Sequence, residues 1–253
     1  MPIINFHKYQ AAGNDFVVVE DKALPDDIEY SELAQRICPR RQAIGADGLI
    51  IIENSPTYDF VMKYYNTDGS GPIMCGNGAR ASVQYVHQNL LEQQHYTFQA
   101  PDGLHEGNVE EDIVNITMSE AEHIQALDIT ENNVFLLDTG APHLIIDREI
   151  PQETELTPIA RPLRKEYDAN VNYIFQDSQG NWQIRTYERG VEGETLACGT
   201  GVTAAALVVV AQKGEQFPVT FTARGGKLTV NRTGDKLWLG GEAVGVYQGK
   251  III

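Results

Sequence analysis

The sequence predicts a mixed α/β (α+β) protein built from two similar lobes, and three observations carry that expectation. The spelling C-G-x-G occurs twice, at Met74-Cys75-Gly76-Asn77-Gly78-Ala79-Arg80-Ala81 and at Ala197-Cys198-Gly199-Thr200-Gly201-Val202-Thr203-Ala204, about half a chain apart. Each copy leads into an alanine-rich apolar run of helical length. Short β-branched runs bounded by Gly, Asn and Asp flank each copy, so strands, loop, C-G-x-G, helix and strands recur in the same order.

The first half opens with strands at 3–6 and 15–20 around the turn-like Gln10-Ala11-Ala12-Gly13-Asn14. A helix at 30–36 ends before Pro39, because a proline disfavours helical backbone in the residue before it. Strands at 48–52 and 58–65 follow, and the turn cluster Asn66-Thr67-Asp68-Gly69-Ser70-Gly71-Pro72 delivers the chain to Cys75. A helix over 78–91 then gives way to strands at 95–100, 104–110 and 113–118. The polar, acidic stretch 119–130 makes the best linker. Beyond it the plan repeats, with strands at 134–137, 144–146, 170–175 and 182–187, a loop at Glu188-Arg189-Gly190, and a helix from Cys198 to about 212. Strands at 219–222, 227–230, 236–239 and 245–253 close the chain. Residues 1–120 therefore form an N-terminal lobe carrying Cys75, and 121–243 a C-terminal lobe carrying Cys198. Two such lobes would set their cysteine loops on opposite sides of one cleft, a common place for a small-molecule site.

Charge narrows the functions. A net charge of −16 over 253 residues argues against nucleic acid or an anionic membrane surface as a partner. No apolar run reaches the roughly 18 residues of a membrane-spanning helix, and the N-terminus lacks a leader pattern. Three cysteines cannot form a disulfide framework, so a cytoplasmic location with free thiols is expected, Cys38 serving packing. The residues Gly76-x-Gly78-x-x-Ala81 fit a loose dinucleotide fingerprint, but they follow a turn-rich loop and precede largely antiparallel sequence. Close-spaced Cys/His pairs for zinc are missing. A cysteine hydrolase built on Cys198 and His143 would leave the Cys75 loop unexplained.

What remains is acid–base chemistry. A cysteine at a helix start meets unpaired backbone N–H groups and the positive end of the helix dipole, both of which favour thiolate. Either cysteine alone would read as a buried small residue. Two in the same local frame point to function, and if they face one pocket they would be a base and an acid.

The chain resembles the diaminopimelate epimerase family over essentially its whole length. The resemblance is carried by Gly13-Asn14-Asp15-Phe16, Gly45-Ala46-Asp47, Tyr65-Asn66-Thr67-Asp68-Gly69-Ser70, the Cys75 loop, Pro142-His143, Asn170-Val171-Asn172, Tyr187-Glu188-Arg189-Gly190 and the segment Glu194 to Gly201. It implies two pseudo-symmetric lobes, each a curved, mostly antiparallel sheet around a central helix, with strand 244–253 returning to the first lobe. It implies a cofactor-independent epimerase, with no metal, that interconverts LL- and meso-diaminopimelate in lysine biosynthesis. Cys75 would remove the α-proton of the LL substrate and Cys198 would supply one on the opposite face. Backbone N–H groups of Gly76, Asn77, Gly199 and Thr200 would bind the α-carboxylate, and Asn14 would face the reacting end. Asn66, Asn170 and Arg189 would hold the distal carboxylate, with Glu188 near the distal ammonium. Glu188 and His143 would also tune the thiols. A homodimer is the implied assembly. Gly48 and Ala141 depart from the commonest pattern, which has Gln and Asn there, and so remove two amides from the far end of the pocket. The alternatives are a two-cysteine racemase for another amino acid and a non-catalytic binding relative.

Overall fold

A computed structural model describes residues 2–111, 113–129 and 133–253. The chain forms two compact units, one of residues 1–116 and 242–253, the other of residues 117–241. Among the described residues, no helix is long and apolar enough to cross a membrane.

Unit 1 contains β1 (Ile3–Ala11), β2 (Asn14–Glu20), α1 (Tyr30–Ile37), β3 (Gly48–Glu53), β4 (Phe60–Asn66), α2 (Gly76–Asn89), β5 (His95–Ala100), β6 (Gly103–Glu110) and β7 (Ile113–Met118). Unit 2 contains β8 (Gln125–Leu127), β9 (Asn133–Asp138), β10 (Pro142–Asp147), α3 (Thr157–Tyr167), β11 (Asn170–Gln176), β12 (Trp182–Glu188), β13 (Gly193–Thr195), α4 (Gly199–Lys213), β14 (Val219–Ala223) and β15 (Gly226–Thr233). The last strand, β16 (Lys236–Ile252), pairs with β15 through its first part and with β1 through its second.

The internal repeat is visible in the pairing. From β1 to β7 successive neighbours are antiparallel, parallel, antiparallel, parallel, antiparallel and antiparallel. The series β9, β10, β11, β12, β14, β15, β16 has the same six relations in the same order. Parallel neighbours require a crossover. The four helices α1 and α2 in unit 1, α3 and α4 in unit 2, are those crossovers.

In each unit the second crossover is the buried one. Helix α4, GTGVTAAALVVVAQK, is apolar on every side, and Gly201 through Val209 are all buried. A helix of that composition is stable only when enclosed. Residues Gly76 through Val86 of α2 are likewise buried, polar members included. The first crossover lies on the opposite face. Leu33, Ala34 and Ile37 of α1 pack with Val17, Val19, Leu49 and Ile51, and Leu156 and Ala160 pack with Leu144, Ile146, Val171 and Tyr173. Strands covered on both faces read as continuous apolar runs, which explains Val17-Val18-Val19 and Leu49-Ile50-Ile51.

Strand alternation then fixes what faces the buried helix. With Val17, Leu49 and Tyr65 directed toward α1, Asn14, Gly48, Tyr64 and Asn66 share the α2 face. With Leu144, Val171 and Tyr187 directed toward α3, His143, Asn170, Asn172, Thr186 and Glu188 share the α4 face.

Several elements differ from expectation. Helix α3 lies in a stretch with no element expected from the sequence; Pro158 sits in its first turn, where a missing N–H costs nothing, and Pro162 is accommodated inside it. The two expected final strands are one, since the backbone through Gly240-Gly241 and Gly245 stays paired as the partner changes from β15 to β1. The acidic stretch after Met118 contains β8, paired with β9, and the segment after the Glu188-Arg189-Gly190 loop contains β13, paired with β12.

A close approach in unit 1 gives a test. A Cβ at Gly107 of β6 would lie 2.7 Å from Val83 Cγ2 on α2. Gly107→Ala is expected to destabilise the protein by about 1–3 kcal/mol, as overpacked sites do, although alanine ordinarily stabilises a strand relative to glycine. Adding Val83→Ala should recover part of the loss in urea unfolding; a stabilised single variant would contradict the packing.

Candidate active site

The two cysteines occupy the same structural position. Each is the N-cap of its buried helix in extended conformation, Cys75 at φ −140°, ψ 115° and Cys198 at φ −122°, ψ 113°. Each carbonyl accepts the first helical bond, Ala79 N to Cys75 O at 2.7 Å and Val202 N to Cys198 O at 3.0 Å. The backbone N–H groups of Gly76, Asn77, Gly199 and Thr200 thus fall in the first turns, where no intrahelical acceptor exists. Such an end binds anions.

Around Cys75, the Gly78 N–H donates to the sulfur at 3.4 Å. The Asn14 amide nitrogen donates to Asp47 Oδ2 at 2.7 Å, which turns its Oδ1 toward Asn77 Nδ2 at 3.4 Å and the Cys75 thiol at 3.9 Å. Asp47 is in turn held by Arg40 at 2.8 Å. Asn66 ends β4, where its Nδ2 donates to Ser70 Oγ at 2.9 Å and its Oδ1 accepts from the Tyr64 hydroxyl at 3.0 Å.

Around Cys198, an ordered chain of donors and acceptors reaches the sulfur. Asn172 Nδ2 lies 3.3 Å from Leu144 O, 3.4 Å from Asn170 O and 3.1 Å from His143 Nδ1. Carbonyls only accept, so this atom is the amide nitrogen, and Asn172 Oδ1 accepts from Thr186 Oγ1 at 2.9 Å. His143 Nδ1 therefore carries a lone pair. Burial holds the ring neutral, its pKa pulled down to about 3 with a lesser push from Arg189. The proton of the neutral ring is on Nε2, which donates to Thr200 Oγ1 at 2.9 Å. Thr200 then has one proton left to give, and Cys198 Sγ is 3.4 Å away. Thr200 is a fixed donor to sulfur. Against it, burial and then the Glu188 carboxylate push the Cys198 thiol well above its ordinary range, while Thr200 and the Gly201 N–H pull it back. Glu188 is itself pushed up by burial and accepts from Thr195 Oγ1 at 2.7 Å.

The remaining expected residues have structural partners. Asn170 accepts from Arg189 N at 2.9 Å and donates to Pro142 O at 3.1 Å. Arg189 donates from Nη1 to Asp168 Oδ2 at 3.0 Å and to its carbonyl at 3.1 Å. The Cys38 thiol is buried beneath α1, and burial raises it to about 12. A cavity of about 670 Å³ in unit 2, bordered by His123, Asp138, Gly140 and Tyr167, includes none of the expected site residues.

Gly48 has a steric reason. A Cβ there would lie 2.3 Å from Tyr64 Cε2 and 2.5 Å from Tyr65 O, so the tyrosine ring occupies the space of any side chain. Sequence reasoning missed Tyr64, although a glycine at the head of an apolar strand is compatible with such a close approach. Asn172, Thr186 and the Thr200 hydroxyl were missed because hydrogen-bond direction is not encoded in spacing.

Keeping His143 neutral has a measurable consequence. Its folded pKa lies below the unfolded value, so the unfolded state binds the extra proton between about pH 6.5 and 3. The stability belonging to the neutral ring is complete above pH 6.5 and is lost as pH falls, by up to about 1.4 kcal/mol per unit. His143→Gln should flatten the pH dependence of the urea midpoint in that window by nearly one proton equivalent. Parallel profiles in the two proteins would contradict a buried neutral His143.

A family model for diaminopimelate epimerase matches residues 6–124 and 135–251. Diaminopimelate epimerase from Flavobacterium psychrophilum is 38% identical over 235 residues, covering 90% of each chain. That from Nitratiruptor is 39% identical over 245 residues, covering 95% of this chain and 96% of its own. Among solved structures, a PhzF-family phenazine biosynthesis protein from Bacillus anthracis matches over 100% of both chains at 15% identity with a TM-score of 0.78. A hydroxyproline epimerase from Agrobacterium vitis, with trans-4-hydroxy-L-proline bound, matches over 98% of this chain and 92% of its own at 14% identity, TM-score 0.71. The structural likenesses speak to the fold alone. On the family match and the similarity of the relatives, the chain belongs to the diaminopimelate epimerase family.

Proposed function

We propose that the protein interconverts LL- and meso-diaminopimelate by a two-cysteine mechanism. The observation that carries this reading is the duplicated N-cap: two thiols in the same backbone conformation, each at the start of a buried helix with first-turn N–H groups beside it. Inverting a carbon requires a base on one face and an acid on the other. Cys75 as thiolate takes the α-proton of the LL isomer, and Cys198 as thiol delivers one to the opposite face; the roles exchange in reverse.

An amino acid α-hydrogen is very weakly acidic, so the developing carbanion needs stabilisation. The N–H groups of Gly76, Asn77, Gly199 and Thr200 supply it by binding the α-carboxylate, onto whose oxygens the charge spreads. One donor of this kind is worth about 100- to 1000-fold in rate. Asn14, oriented by Asp47, lies at the reacting end, with Asn66, Asn170, Glu188 and Arg189 toward the distal amino acid group. A reducing cytoplasm, in which Cys38, Cys75 and Cys198 stay as thiols, is part of the same reading.

Reduced enzyme and LL-diaminopimelate in deuterated water should yield meso product with deuterium at the inverted carbon. Cys75→Ala and Cys198→Ala should each reduce turnover at least about 100-fold while far-UV circular dichroism is unchanged. Full activity in either variant contradicts the two-base scheme. Exchange with a different amino acid only would retain the mechanism and overturn the substrate, and exchange with none would leave a binding protein.

A further inference from the structure

Helix α2 carries a fully buried arginine with no salt bridge among the described residues. Arg80 has 0% exposure, among the largest fully buried side chains of the protein. Its Nη2 donates to Asn77 Oδ1 at 2.8 Å and its Nη1 to Gly76 O at 3.4 Å, so the side chain runs back along the helix to the turn that follows Cys75. Among the described residues Nε has no hydrogen-bond partner, and neither does Gln84 Oε1 one turn further on. That amide can satisfy a donor but cannot neutralise a charge.

Four partly buried carboxylates of unit 1 have other cations as partners: Asp15 has Lys8 and Arg40, Asp47 has Arg40, Glu20 has Lys22 and Glu53 has Lys63. Burying an unpaired guanidinium is expensive, and methionine or leucine would fill similar volume without that cost. A cation near a helix N-terminus also opposes the helix dipole. The charge must therefore answer an anion at that helix end.

We propose that Arg80 is a positioning residue for the reaction, the fixed buried cation that stabilises the Cys75 thiolate through the first turn of α2 while its fork holds Asn77. Independently, burial pulls the guanidinium down to about 10, and the titratable group that pushes it back up is Cys75. At the sulfur, the Gly78 N–H favours the thiolate and Asn14 Oδ1 favours the thiol. Arg80 adds a fixed positive charge to the thiolate side.

The proposal rests on Cys75 being the base, and its test is independent of substrate. The rate of Cys75 carboxamidomethylation by iodoacetamide, resolved from Cys38 and Cys198 by peptide mass spectrometry, is measured against pH in the wild type, Arg80→Lys and Arg80→Met. The midpoint is expected to rise by at least about one unit in Arg80→Met, which is tenfold less thiolate below both midpoints, and by less in Arg80→Lys, which keeps the charge and loses the fork. In turnover, kcat for the LL isomer should fall in the same order. A purely structural role predicts a folded Arg80→Met with the wild-type midpoint, or Lys and Met variants shifted equally, and either result overturns the proposal. If Arg80→Met does not fold, a Lys variant whose midpoint matches Arg80→Gln serves as the same contradiction. Should the protein prove inactive on diaminopimelate, the alkylation profile still decides the role of Arg80.

Discussion

Everything in each unit depends on enclosing one helix. An α4 that is apolar through its buried length and an inward-facing α2 cannot lie on a surface, so the strands wrap them and the outer crossovers α1 and α3 cover the far face. Enclosure creates a problem at the helix start, where the first N–H groups lack acceptors and water is partly excluded. Serine or aspartate at the N-cap would satisfy them. Cysteine is a weak acceptor, and the 3.4 Å bond from Gly78 N to Cys75 Sγ is correspondingly long. The protein forgoes a good cap at this helix start, a choice that the proposed role of Cys75 as a base would explain.

Much of this was legible in the chain because its causes are local. The C-G-x-G pair, the apolar runs and the turn clusters each report backbone conformation or burial at their own position, and so the strands and both inner helices follow. The features that escaped are relational. Helix α3, with Pro158 in its first turn and Pro162 inside it, carries two residues that ordinarily disfavour a helix interior. Gly240 and Gly245 read as strand ends although a change of partner keeps the backbone paired. Arg80, in an alanine-rich helix, has nothing in its neighbours to mark it as fully buried.

The two glycines of the repeated motif show how one spelling serves two ends. A Cβ at Gly78 would make ordinary contacts, 3.4 Å from Cys75 Cβ and 3.6 Å from Ile50. At Gly201 it would lie 2.5 Å from Asn172 Oδ1 and 3.3 Å from His143 Cε1. The second copy needs glycine because the buried amide and imidazole that aim Thr200 at Cys198 press against the helix backbone. Gly48 and Asn170 make the same point, since each opens the strand after its unit's first crossover. Tyr64 fills the space over one, while an amide that ties β10 to the chain after β12 occupies the other.

Duplication thus supplies the frame and divergence supplies the chemistry. The proposed two-cysteine mechanism needs one thiol ionised while the other is protonated, which two identical environments would not favour. Here the neighbours differ in sign. The helix behind Cys75 holds the buried guanidinium of Arg80, whereas Cys198 has a carboxylate, Glu188, whose charge favours the protonated thiol. That bias alone would trap Cys198 as an acid. The donor chain from Thr186 through Asn172 and His143 to Thr200 opposes it, and because the buried ring stays neutral, its direction does not reverse near neutral pH. In the proposed mechanism, a thiol held protonated by one neighbour and offered a hydrogen bond as thiolate by another could give up its proton in one direction of the reaction and take one in the other.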